Sequence, residues 1–209
     1  MNNENLRYDI LKEIFNVSVG KAASLLSEII DKRILLTVPS VEALSMDNQA
    51  FDLDAYLPRD INGALMVSSI SFNENLKGRA NLIFPAKQMR TFINLCMNEH
   101  EEVEDMEFND IDFDVIKEIG NIILNSIVGE VGNYLDISFD YSLPEVKIFS
   151  RTNFNENIGR RDYPYLLILY ITFVIDETEI EGIIIVNLTL NSLNDLIKSI
   201  DRIEKNLYD

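Results

Sequence analysis

Two polar triplets in this chain have the residue types and the spacing to do chemistry. Asp9, Glu13 and Asn16 stand at intervals of four and three residues, and Asp114, Glu118 and Asn121 repeat those intervals. A proline follows each asparagine at one distance, Pro39 after Asn16 and Pro144 after Asn121, so D-x3-E-x2-N-x22-P occurs twice. Each member of the second set lies 105 residues after its counterpart, in a chain of 209. A carboxylate can pair with a partner's lysine and fix register. A primary amide donates and accepts at once, so it can hold a water molecule in line with an electrophile. Phosphoryl hydrolysis is mostly such positioning and electrostatics. A Glu/Asn ridge therefore suits a protein that docks onto another and completes its partner's active site. It does not suit a two-carboxylate glycosidase, because each set pairs an acid with an amide.

The elements that carry these residues read as helices. Residues 8–30 place Ile10, Ile14, Val17, Leu25 and Ile29 at helical spacing, and residues 112–133 do so with Ile116, Ile119, Ile122, Ile123 and Ile127. At about 100° per residue, Asp9, Glu13 and Asn16 fall within roughly 60° of arc, on a face other than the apolar one. The expectation is an exposed polar ridge on each helix. Asn is a poor helix former, so its recurrence at one place on two helices is not a choice of propensity.

Behind each long helix the chain repeats an order of elements. Residues 34–41 are strand-like and interrupted by Pro39, which belongs at a strand edge or bend. Residues 45–60 are polar and irregular. A hairpin of 63–72 and 79–84 follows, then a helix from Pro85 to about Met97. In the second half, 135–149 is extended around Pro144, 151–162 is irregular, 165–175 and 179–190 form a hairpin, and Asn191 or Ser192 caps a last helix, 193–207. The reading is α+β: helix-strand-strand-strand-helix twice, a pseudo-two-fold repeat with long helices on a shared, mainly antiparallel sheet. The whole chain, 1–209, is then one domain of two repeats, 1–104 and 105–209. Residues 9–44 and 114–149 share eight identities, four of them the motif and one of them Asp31 with Asp136.

Composition narrows the function classes. Hydrophobic residues make up 47% and charged residues 25%, ordinary for a globular protein. Eighteen Lys and Arg against thirty-five Asp and Glu give a net charge of −17, which disfavours nucleic acid and anionic membrane as partners. The single cysteine, Cys96, lies in an apolar run and reads as a small buried hydrophobe, and the single histidine, His100, stands among acids. That inventory offers neither a zinc site nor a Cys/His or Ser/His pair. The stretch from Glu99 to Asp114 carries nine acids and reads as a solvated linker. Asp110 to Asp114 resembles the opening of a calcium loop, but Val115 and Asn121 stand where that loop needs glycine and glutamate. No metal ligand is assigned. The N-terminus lacks the pattern of a secretory signal and the longest apolar stretch is too short to span a membrane, so the expected setting is the reducing cytoplasm.

At these residues the sequence resembles the CheC/CheX/FliY family of chemotaxis phosphatases. Asp9-Ile10-Leu11-Lys12-Glu13-Ile14-Phe15-Asn16 and Asp114-Val115-Ile116-Lys117-Glu118-Ile119-Gly120-Asn121 both match its signature, and two complete copies fit the CheC type. The resemblance implies dephosphorylation of a CheY-type response regulator. Asn16 and Asn121 would position the attacking water at the phospho-aspartate, and Glu13 and Glu118 would pair with a lysine of the regulator. Any magnesium ion would belong to the regulator, with no intrinsic cofactor, and a CheD-type receptor deamidase is a second implied partner. Asp9 and Asp114 are expected to offset the helix dipoles, and Pro39 and Pro144 to shape their strands. The copies depart from the family pattern differently: Phe15 replaces the usual glycine before Asn16, and Asn125 stands where copy one has Gly20. Those departures leave open a non-catalytic adaptor that binds a phosphorylated receiver domain or a deamidase. A scaffold whose ridges are merely solvated is the third reading.

Overall fold

The structure is a computed structural model that describes residues 3–45, 53–57, 63–74, 76–97, 108–136, 138–150, 153 and 163–208. Helix α1 (Asn3–Ile30) leads into β1 (Ile34–Ser45), a short 3-10 turn (Leu53–Tyr56), the hairpin β2 (Ala64–Glu74) and β3 (Gly78–Pro85), and α2 (Ala86–Met97). Then come α3 (Asp110–Leu135), β4 (Phe139–Tyr141), β5 (Glu145–Ser150), the hairpin β6 (Tyr165–Ile175) and β7 (Thr178–Leu188), and α4 (Leu190–Tyr208). The α+β class holds, and every strand pairing is antiparallel. The second half departs from the expected order in one way: its first strand is split in two.

The seven strands form one sheet in the order β1-β6-β7-β3-β2-β4, with β5 also on β2. Exchange of the halves leaves that order unchanged, with the centre between β3 and β7. Each half's first strand pairs with the other half's hairpin, β1 with β6 and β4 and β5 with β2. The main core lies between the helices and one face of the sheet, where Phe72, Leu82, Phe84, Leu169, Phe173 and Ile184 meet Leu26, Ile123, Leu124 and Ile93. A second apolar layer, Leu65, Val67, Ile83, Leu166, Ile168, Ile183 and Ile185, lies with Leu57 on the other face. Strands buried on both faces explain the unbroken apolar runs in β3, β6 and β7.

Several local expectations are corrected. Helix α1 buries Leu11, Ile14, Phe15, Val19, Ala22 and Leu26, while Leu25 and Ile29 are 49% and 64% exposed. Ala22 and Ala23 explain that rotation, since the face they occupy goes to the core shared with α3. Lys21 reaches Glu130 across this contact at 2.6 Å. The last helix is capped by Thr189, whose Oγ1 accepts from the Ser192 amide, and the Ser192 hydroxyl instead joins Lys77. Asp9 and Asp114 are the seventh and fifth residues of their helices, past the first turn where a dipole interaction acts. That role falls to Asp110 and Asp112, and Asn109 and Asp112 close a capping box. Asp112 is buried and also accepts from Arg90 of α2 at 2.9 Å, so residues 110–114 of the expected linker are helix. The rest of that linker to 107, with His100, and nearly all of 151–162 lie outside the described residues.

The repeat identities acquire physical reasons. Asp31 and Asp136 both have positive φ, 57° and 56°, just past α1 and α3. Asp tolerates that left-handed conformation at a helix end. Ile14 and Ile119 are core residues of corresponding helical turns. The β6–β7 connection also uses positive φ, at Asp176 and Glu177, as a two-residue turn of matching twist requires.

Candidate active sites

Pro39 and Pro144 mark the same device on the two opposite edges of the sheet. Thr37 pairs with Thr172 and Ser40 with Tyr170, so Val38 and Pro39 together oppose one residue of β6. Phe72 pairs with Tyr141 and Ser69 with Glu145, so one extra residue is again taken up beside Pro144. A bulge of this kind leaves backbone groups turned out of the ladder, and proline lacks the donor that would be wasted there.

In copy one the asparagine closes that gap. Asn16 Oδ1 accepts from the Val38 amide at 2.9 Å, and Asn16 Nδ2 donates to the Val38 carbonyl at 3.1 Å. Nδ2 also donates to the Lys12 carbonyl one turn earlier, at 2.9 Å. Both N–H donors of the amide are therefore spent on backbone. Val38 is 1% exposed, so this clamp satisfies groups that water does not reach. The distance of 22 residues from Asn16 to Val38 is the spacing of the motif, one residue short of its proline.

In copy two the bulge is open. The residue in the place of Val38 is Leu143, and it is 83% exposed. Asn121 makes no strand contact of the Asn16 kind. Its Oδ1 accepts from Asn125 Nδ2 at 2.6 Å, and its own Nδ2 has no partner among the described residues. Ser142 does part of the strand's work instead: its amide donates to the Ser71 carbonyl and its Oγ accepts from the Ser71 amide, both at 2.9 Å.

The residue before each asparagine sets how its helix meets the sheet. Phe15 is 2% exposed and lines a small apolar cavity with Phe72, Ile127, Val128 and Leu167. Gly120 lies flat on β2, and a Cβ there would meet Ser68 Oγ at 2.2 Å and its Cβ at 2.6 Å. The ridges expected to be exposed are therefore only partly so. Asp9, Glu13, Asp114 and Glu118 face solvent, but Asn16 and Asn121 are half-buried. Pro39 is exposed and Pro144 half-buried. Among the described residues no cation pairs with Glu13 or Glu118, so either carboxylate is available to a partner's lysine.

The other reactive groups stay out of these sites. Cys96 is half-buried, and burial pushes its thiol up to about 12, against the lesser pull of Lys32. A thiol so high is not a nucleophile at neutral pH. Among the described residues no group of three or more His, Cys, Asp and Glu is placed to hold a metal ion, and no helix is long and apolar enough to cross a membrane. The residue that sequence reasoning missed as a partner is Asn125. Its signal is the four-residue interval from Asn121, which puts both amides on one helix face.

Comparison with known proteins finds relatives of this fold. No family model matches the chain. Bacillus subtilis (strain 168) CheC, a CheY-P phosphatase, is 26% identical over 141 residues, which take in 67% of this chain and 65% of that protein. The crystal structure of Thermotoga maritima FliY superposes with a TM-score of 0.75 at 22% identity, over 97% of this chain and 98% of that one. In sequence and in fold the chain is similar to members of the CheC/CheX/FliY family. The fold of that family extends to the FliM middle domain from H. pylori, at a TM-score of 0.63 and 12% identity over 95% of this chain and 99% of that one. The chain spans about two thirds of the length of that CheC, and its two motif copies differ in how each asparagine is held.

Proposed function

We propose that this chain hydrolyses the phospho-aspartate of a CheY-type response regulator, and that Glu118 and Asn121 form its principal site. The observation that carries this reading is the Asn121 amide, held at its oxygen and unoccupied at its nitrogen. An amide in that state can hold a water beside the phosphoryl group without first breaking a bond of its own fold. Water oxygen attacks phosphorus, the acyl phosphate P–O bond breaks with its electron pair going to the aspartate carboxylate, and inorganic phosphate leaves. Glu118, exposed on the same ridge, pairs with a lysine of the regulator and sets the register. The magnesium ion belongs to the regulator. The whole chain acts as one domain of two repeats, because each half supplies an edge strand to the other.

Glu13 and Asn16 form the second site of the proposal, and Asn16 must release Val38 before its donors can serve. That lock favours a second reading for copy one alone: a ridge that binds a receiver domain, or a CheD-type deamidase, without turnover. Both readings are tested by mixing the protein with a phosphorylated receiver domain and following phosphate release. Asn121→Ala is expected to abolish most of the acceleration and Asn16→Ala to spare most of it. No acceleration by the wild type, or full acceleration by the Asn16→Ala/Asn121→Ala double variant, overturns the proposal.

A further inference from the structure

We infer that Asn125 is a positioning residue for the second site, orienting the Asn121 amide so that its N–H donors face the docked phosphoryl group. The inference rests on the reading of Glu118 and Asn121 as a hydrolytic site.

Asn125 Nδ2 donates to Asn121 Oδ1 at 2.6 Å, one helical turn away. That bond fixes the rotation of the Asn121 amide plane. It consumes one of the two lone pairs on Oδ1 and leaves the other, with both Nδ2 protons, for water and phosphoryl oxygens. A group already aimed at its target reacts without the ordering that a free rotor needs.

Folding does not account for Asn125. Its own Oδ1 is buried and has no hydrogen-bond partner. A buried acceptor left unpaired is a cost, and asparagine inside a helix is another. Gly20, its counterpart, leaves no buried acceptor unpaired, and a side chain added there would meet nothing within 4 Å. Copy one needs no such partner, because Val38 and Lys12 anchor the Asn16 amide. Copy two lacks the strand anchor and has Asn125 in its place. The two anchors differ in what they leave over. The backbone anchor consumes both donors of Asn16, whereas the side-chain anchor consumes none of Asn121.

The test is steady-state hydrolysis of a phosphorylated receiver domain by wild type, Asn125→Ala, Asn125→Asp and Asn121→Ala, with side-chain amide relaxation of Asn121 measured by NMR in the same proteins. Asn125→Ala is expected to lower kcat by about tenfold, the cost of freeing one side-chain rotor, with KM within about twofold. The Asn121 NH2 group is expected to be rigid in wild type and mobile in Asn125→Ala. Asn125→Asp can only accept at that position, so it draws the Asn121 Nδ2 inward, and its kcat should fall toward that of Asn121→Ala. Wild-type turnover with undiminished kcat in Asn125→Ala, or an Asn125→Asp variant faster than Asn125→Ala, overturns the inference and leaves the phosphatase reading intact. An Asn121 amide equally mobile in wild type and Asn125→Ala also overturns it, whatever the kinetics. Absence of turnover in wild type removes both.

Discussion

Asn16 and Asn121 share a motif, a helix position and a fold, yet they do different work. Asn16 is bonded on both sides of its amide to the backbone of buried Val38. Asn121 is bonded at its oxygen only, to a neighbour on its own helix, beside a strand that swings a leucine into solvent. The copies differ again one residue earlier. Phe15 fills the core between the two long helices, whereas Gly120 brings α3 onto β2 at Ser68. The difference teaches that an intact motif is not an available one: the same amide is either part of the fold or free for a partner, according to where its helix rests.

Four experiments break or sharpen that comparison. Phe15→Ala removes a buried aromatic ring and should cost about 3–5 kcal/mol, read by urea unfolding. A smaller cost would mean that the ring does not set the packing of copy one. Asn16→Ala leaves both the N–H and the C=O of buried Val38 unpaired, and should cost about 2–4 kcal/mol. Asn121→Ala loses one partly exposed bond and should cost below about 1.5 kcal/mol. Equal losses of stability would erase the contrast between clamp and open site. Phosphate release from a phosphorylated receiver domain should reverse that order, with Asn121→Ala slower than Asn16→Ala by about 100-fold, the scale of a misplaced reacting group. The two glycines close the series with opposite signs. Gly120→Ala should destabilise by about 1–3 kcal/mol through its clash with Ser68, while Gly20→Ala should stabilise by up to about 1 kcal/mol, judged by thermal melts.

Much of the frame was legible in the sequence because it is written in local terms. The two long helices follow from apolar spacing, and both hairpins from runs of β-branched residues broken by turn residues. Pro39 could be placed at an edge or bend because a missing donor cannot sit inside a ladder. What misled was local as well. Leu25 and Ile29 fit an apolar stripe, but Ala22 and Ala23 turn the helix so that these two face water. Asn191 and Ser192 suit a cap, but Ser192 is taken by Lys77 from another element and Thr189 caps instead.

By itself the sequence determined two matched copies of one polar motif and the helices that carry them. Those properties depend on residue type and on intervals within one element. Tertiary structure alone decided which amide is free. That outcome turns on a bulge in an edge strand, on the partner strand contributed by the opposite half, and on what the residue before each asparagine packs against. These contacts join residues 22 to more than 100 positions apart, beyond the reach of any local pattern.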